Sequence, residues 1–289
     1  MVNNASARML RAMLIVDAQV HTWGADTPAR PWPAGRAAQA QKPYAVTAEM
    51  ILAGMDEAGV DRVVLVPPSW EGDRNDLALT AAANYPDRFA VMGRIPLDQP
   101  NPDAVAHWRE QPGMLGMRFT FHGTGQRAWL TDGTGDWLWA AAEEARLPIM
   151  VFVPGAVPEF GAIAGRYPGI PFVIDHLALW GAKDGEAFAG LGDVLALARL
   201  PNVAVKASAL PCYSSEAHPF PGLHQYIRRV YDAFGPRRMF WGTDWTRLTC
   251  TWREAVTLFT EELPWLPEQD KEWIMGRAAC EWLGWDLPA

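Results

Sequence analysis

The sequence predicts a (β/α)8 barrel, an α/β fold of the TIM-barrel type in a single domain. Three observations carry that prediction. Eight short apolar runs rich in β-branched residues recur along the chain, stretches of helical period separate them, and six of the runs end in ionisable side chains.

The runs lie over 13–16, 62–66, 89–95, 116–119, 148–153, 171–174, 203–206 and 238–241. Several are almost wholly apolar rather than alternating, the pattern of parallel strands covered on both faces. Helical spacing of apolar residues marks 48–58, 76–85, 102–110, 136–145, 157–167, 186–198 and 223–234, with two more helices, 253–262 and 269–283, after the last strand. Gly59, Pro86, Pro148, Gly169, Pro201 and Gly235-Pro236 stand just before strands, where helices must stop. No linker or shift in composition divides the chain. We therefore expect a leader over 1–13 and one barrel domain with a C-terminal helix over 14–289. The loop 24–43, rich in Pro, Ala and Arg, follows the first strand on the face where a barrel keeps its chemistry, so a lid and a plain insertion are both open readings.

The chain has 289 residues, 49% of them apolar, enough for a large core. A net charge of −8 argues against a nucleic acid or an anionic membrane as partner, but not against a small anion in a local cationic pocket. The three cysteines, Cys212, Cys250 and Cys280, are widely spaced and form no CxxC, so a disulfide framework is not expected and a cytoplasmic location is. No apolar segment has the length of a signal core or a membrane span.

Strand ends are where barrel enzymes carry their chemistry. The first strand runs into Asp17-Ala18-Gln19-Val20-His21, the third ends at Arg94 and the fourth holds Arg118, with His122 just beyond. The sixth ends at Asp175-His176, the seventh at Lys206 and the eighth at Gly242-Thr243-Asp244-Trp245. These groups converge if the barrel forms. Asp17 reads best as a carboxylate that hydrogen-bonds loop backbone. His218 stands above the same face, while His107 and His224 read as solvated or capping residues. No Gly-x-Ser-x-Gly elbow supports a serine nucleophile.

The motifs VDAQVHTWG, VIDHLA, NVAVKAS and MFWGTDW, in that order at barrel spacing, resemble the amidohydrolase superfamily over 16–283. The similarity is to its amidohydrolase-related branch, which holds sugar-acid lactonases, a pyrone-dicarboxylate hydrolase and related decarboxylases. Metal-dependent members carry a His-x-His pair on strand 1, histidines after strands 5 and 6, and an aspartate after strand 8. By that resemblance His21, His176 and Asp244 match three of the positions. Gln19 stands where the first histidine would be, and Phe152 or Val153 ends strand 5. A neutral amide and a phenyl ring are poor substitutes for zinc ligands. No cofactor is therefore the favoured reading; the alternative is one zinc or manganese ion on His21, His176 and Asp244.

The resemblance implies a hydrolase that opens a small carboxylated lactone or related cyclic ester. Asp244 would be the general base, and His21 and His176 would stabilise the oxyanion or protonate the leaving oxygen. Arg118, with Arg94 and Lys206, would hold a substrate carboxylate, for which a guanidinium's planar fork is suited. His122, Gln19, Trp23 and Trp245 complete the expected binding set, with Trp70, Phe121 and Trp180 as further aromatic walls. A metal-dependent decarboxylase and a non-catalytic binding barrel are the alternatives. A homo-oligomer is compatible with the sequence, though the Trp-rich helix after strand 8 is accounted for equally well by core packing.

Overall fold

The computed structural model describes residues 13–288; the expected leader, apart from Met13, lies outside the described residues. Eight parallel strands form one sheet in sequential order, β1 (Val16–Val20), β2 (Arg62–Leu65), β3 (Phe89–Gly93), β4 (Met114–Thr120), β5 (Ile149–Phe152), β6 (Phe172–Ile174), β7 (Val203–Ser208) and β8 (Met239–Gly242). Every strand residue is buried, as the near-continuous apolar runs require when helices cover the outside and side chains fill the inside.

β8 meets β1 through the Asp244 amide, which donates to the Gln19 carbonyl at 2.8 Å. Asp17 ties the same seam. Its carboxylate accepts from the Gln19 and Thr243 amides at 3.0 and 2.9 Å, from the Thr243 hydroxyl and from Trp252 Nε1 at 3.0 Å. The reading of Asp17 as a backbone-binding carboxylate is thus met, with the partner strand's end as well as its own. Burial pushes its carboxyl up to about 7, against the pull of those four donors.

Helix Ala48–Ala58 shows why the helices start and stop where they do. The Thr47 side chain accepts from the Met50 amide, Ile51 and Met55 face the core one turn apart, and Gly59 closes the helix in the left-handed region at φ 77°. Two stretches read as continuous helices are broken instead. The 102–110 stretch is helix Pro102–Ala106 followed by a 3-10 turn, Trp108–Glu110. The 186–198 stretch divides into Asp184–Ala187, Leu191–Ala196 and a final 3-10 turn, with glycines at 185, 190 and 192 weakening continuity. The C-terminal helix runs from Glu268 to Leu283 through a π-turn at Trp273–Arg277 and plugs the N-terminal end of the barrel. A methyl group on Gly276 would lie 2.4 Å from the Leu14 carbonyl, so only glycine allows that approach.

Among the described residues no helix is long and apolar enough to cross a membrane.

Candidate active site

Period-two alternation decides which strand residues enter the barrel. On β4 Gly116, Arg118 and Thr120 share the inner face, on β5 Met150 and Phe152, and on β7 Ala204, Lys206 and Ser208. Successive inner residues rise in layers, so the residue nearest the C-terminal end of each strand meets the opening. There a cavity of about 420 Å³ is lined by Arg118, Thr120 and Phe152. His21, Ser69 and Trp70, His122, His176 with Trp180, and Asp244 with Arg247 add to it from the loops after β1, β2, β4, β6 and β8. Gln39 and Gln41 reach it from the long 24–43 loop. A hollow of about 500 Å³ at the other end, beside Leu14, Asp61, Glu272 and Arg277, has no such constellation.

Asp244 sits at the centre, with His21 Nε2 3.3 Å from one oxygen and His176 Nε2 3.8 Å from the other. Arg247 Nη1 lies 3.4 Å from the second oxygen, and Gln41 Nε2 donates to both, at 3.2 and 3.4 Å. Burial acts to raise the Asp244 carboxyl, but His21 and His176 in their protonated forms, with Arg247 and Gln41, hold it below its usual range, so it is a carboxylate at neutral pH. Both His176 (φ 52°, ψ 30°) and Asp244 (φ 52°, ψ 49°) occupy the left-handed region, which costs a non-glycine residue about 1 kcal/mol or more. The strands end on these turns, and the turns aim both side chains at the cavity.

The histidines are neutral. Burial pulls His176 down to about 3 and lowers His21 despite Asp244 beside it. His21 Nδ1 is 2.5 Å from the Val66 carbonyl, which can only accept, so that nitrogen carries the proton. Its Nε2 lone pair therefore faces Asp244 and the Gln19 amide nitrogen, 3.4 Å away. Neutral His21 is thus an acceptor on the cavity side, and the expectation that it donates to an oxyanion holds only once it gains a proton. His176 Nδ1 pairs with the Ser208 hydroxyl at 2.8 Å, and its Nε2 is too far from Asp244 for a hydrogen bond, which leaves it open to a ligand.

Beneath the floor runs a buried ionic chain. Asp175 accepts from Arg118 Nε at 2.8 Å and pairs with Lys206 Nζ at 2.8 Å, and Lys206 donates to Gln19 Oε1 at 2.6 Å. Burial would raise the Asp175 carboxyl, but Lys206 and Arg118 outweigh it and hold it far below the usual range. Among the described residues Arg118 hydrogen-bonds only through its Nε, so its two terminal nitrogens remain for an anion in the cavity.

Five expected binding residues lie elsewhere. Lys206 is wholly buried one layer below the cavity and neutralises Asp175; Gln19 links it to His21. Trp23 is buried behind Trp70, its ring edge-on at 5.4 Å, and so supports a wall without being one. Trp245 stacks on Trp252 at 4.9 Å, outside the lining. Arg94 faces a neighbouring pocket and pairs with Asp73 at 3.3 Å. Phe121 is fully buried against Trp139. His122 does line the cavity, packed between Trp180 and Phe152, and burial with nearby Arg118 lowers its pKa. His218 bonds Thr257 and is not part of the lining. Gln41 and Arg247 were not expected. Arg247 had a signal, one helical turn after Asp244, but a glutamine in a 20-residue loop carries none.

The donor set does not fit a metal held by protein alone. The side chain at the strand-1 position, Gln19, has its oxygen bound to an ammonium, Phe152 offers a ring, and Asp244 shares its oxygens with Gln41 and the Arg247 cation. Among the described residues no three His, Cys, Asp or Glu side chains stand close enough together to hold an ion.

A family profile described as amidohydrolase matches residues 16–285. The chain belongs to that family. It is similar to the L-fucono-1,5-lactonase of Burkholderia ambifaria, with 31% identity over 195 residues, 65% of this chain and 66% of that protein. It is also similar to the 4-sulfomuconolactone hydrolase of Hydrogenophaga intermedia, with 26% identity over 191 residues, 65% of this chain and 61% of that one. The chain thus spans slightly under two thirds of the length of these relatives. Among solved structures, a probable 2-pyrone-4,6-dicarboxylic acid hydrolase from Acinetobacter baumannii, with citric acid bound, superposes with a TM-score of 0.78. Identity to it is 18%, with 94% of this chain and all of that one covered, a likeness of fold.

Proposed function

We propose that the protein is a hydrolase that opens a small carboxylated lactone by attack of water, with Asp244 as general base. The observation that carries this reading is the ionised Asp244 carboxylate at the centre of a cavity that also presents neutral imidazoles and the guanidinium groups of Arg118 and Arg247. The activities of the two relatives, both lactone hydrolyses, support it.

In this mechanism Arg118 holds the substrate carboxylate and sets the lactone carbonyl over Asp244. Water attacks the carbonyl carbon while Asp244 takes its proton, and His21 Nε2, 3.3 Å away, is placed to share that proton. The tetrahedral oxyanion accepts from His176 Nε2 and Arg247. Collapse breaks the ring C–O bond, and the proton first taken from water goes to the leaving oxygen, so the product is an open hydroxy acid. Decarboxylation assisted by a divalent ion would need donors that Gln19 and Phe152 do not supply, and a purely structural barrel would have no use for an unshared Arg118 fork.

Asp244→Asn keeps the shape and removes the base. The expected result is a loss of lactone hydrolysis of about 10²–10⁴-fold with an unchanged melting temperature. Retained turnover overturns the assignment.

A further inference from the structure

A carboxylate that takes a proton from water must keep one orientation while it does so. The last torsion of an aspartate side chain is broad, so neighbouring groups have to set the plane of the Asp244 carboxylate. Neutral His21 turns a lone pair toward Oδ1, and His176 Nε2, 3.8 Å from Oδ2, is out of hydrogen-bonding range. Arg247 Nη1 lies 3.4 Å from Oδ2, at the end of a long side chain that is 28% exposed. Gln41 Nε2 is the donor that faces both oxygens, at 3.2 and 3.4 Å. The two N–H bonds of an amide diverge more widely than the two oxygens of one carboxylate. A single N–H therefore lies between the oxygens and opposes rotation of the group.

The amide is itself held. Its Oε1 accepts from the Thr246 hydroxyl, and Thr246 is buried on the 3-10 turn Trp245–Arg247 that begins directly after Asp244. Turned over, the amide would set an oxygen against the carboxylate, so bonds on its two sides leave one orientation. Gln41 lines the reaction cavity and comes from the 24–43 loop, yet that loop has its own anchor in the bonds of Arg30 to Glu71 and Asp76. Holding the loop down does not account for an amide placed squarely on the base.

We propose that Gln41 is a positioning residue for the reaction, fixing the plane of the Asp244 carboxylate, and that Thr246 positions Gln41 in turn. This rests on the reading of Asp244 as general base and adds to it two residues that act through it.

The test uses the full chain with muconolactone and 2-pyrone-4,6-dicarboxylate as substrates. Gln41→Met is expected to lower kcat about 10–100-fold while KM changes less than about threefold. Thr246→Val is expected to lower kcat about tenfold, and Thr246→Ser, which keeps the hydroxyl, to recover most of that loss. The double variant of Gln41→Met with Thr246→Val falls no further than Gln41→Met alone, because Thr246 acts through Gln41. A raised KM at unchanged kcat, or losses that multiply in the double variant, overturns the proposal. So does a Gln41→Met variant that matches Arg30→Ala both in proteolysis of the 24–43 loop and in loss of kcat, the mark of a plain loop anchor. If wild type opens neither lactone, the lactonase reading falls by itself. The position of Gln41 is then read by NMR on protein carrying nitrogen-15-labelled glutamine, with the Gln41 side-chain amide identified by its loss in Gln41→Met. Wild type is expected to show the two amide protons well separated in shift, and both Asp244→Ala and Thr246→Val to move them to the values of an exposed glutamine. Unchanged shifts in either variant overturn the proposal.

Discussion

Arg118 shows how one side chain is divided between structure and ligand. Its Nε is committed to Asp175, which Lys206 also neutralises, so the fork is held in place before a substrate arrives. Arg118→Met is expected to raise KM for a carboxylated lactone by about 10–100-fold while kcat falls less, measured by steady-state kinetics. An unchanged KM removes Arg118 from the clamp. Asp17, by contrast, works for the fold. Replacing it by Asn leaves an amide nitrogen among donors at a fully buried seam, and about 2–4 kcal/mol of stability is expected to go, read from urea unfolding. Of the residues singled out in the sequence, His21, Arg118, His122, His176 and Asp244, with the aromatic walls Trp70 and Trp180, are brought by the fold to one cavity. They were legible because a strand's C-terminal end is a position that sequence period can locate. Lys206 shows the limit. It has the right parity on β7, yet Ser208 stands one layer higher and pairs with His176, so only the barrel's layering shows that the ammonium stays beneath the cavity.

At the scale of elements, the 24–43 loop is the part most nearly invisible in sequence. It has little regular structure, one 3-10 turn and one isolated bridge between Thr27 and Arg30, with Trp23 bridging Val46 across its base, yet it is pinned at both ends of its path. Arg30 bonds Glu71 and both oxygens of Asp76, at 2.6 and 2.9 Å, and Gln41 bonds Asp244 and Thr246. The loop therefore roofs the cavity and completes the hydrogen bonding of Asp244. Arg30→Ala is expected to speed limited proteolysis within 24–43 and to lower kcat/KM severalfold; unaltered cleavage and kinetics would show that the loop holds without the clip. The pin has a pH dependence of known sign. Hydrogen bonds from Arg30 keep the Asp76 carboxyl below its ordinary value, so its contribution is complete above about pH 4 and is lost as pH falls through the lower folded value. Asp76 is largely exposed, so the effect is no more than a few tenths of a kcal/mol, roughly, and salt weakens it further.

For the whole molecule, the net charge of −8 coexists with a cavity whose two guanidinium groups, Arg118 and Arg247, come from separate parts of the chain. The acidic total describes the outer surface, and the fold assembles a local cationic site within it. The donor geometry gives a prediction at this scale too. Purified protein is expected to hydrolyse lactone undiminished after chelator treatment, with far less than one equivalent of zinc or manganese by elemental analysis. One equivalent together with loss of activity on chelation would make His21, His176 and Asp244 ligands instead of base and partners.

The sequence by itself determined the eight-strand parallel architecture, the helices that cover it and the strand-end residues, because period and turn chemistry are local properties of the chain. Tertiary structure alone decided which of those residues share a cavity, that Gln41 reaches Asp244 across about 200 positions, and that Arg94 looks into a second pocket. Those relations depend on how the closed barrel stacks its inner layers and where a long loop lands on its rim, and neither is written in any one segment.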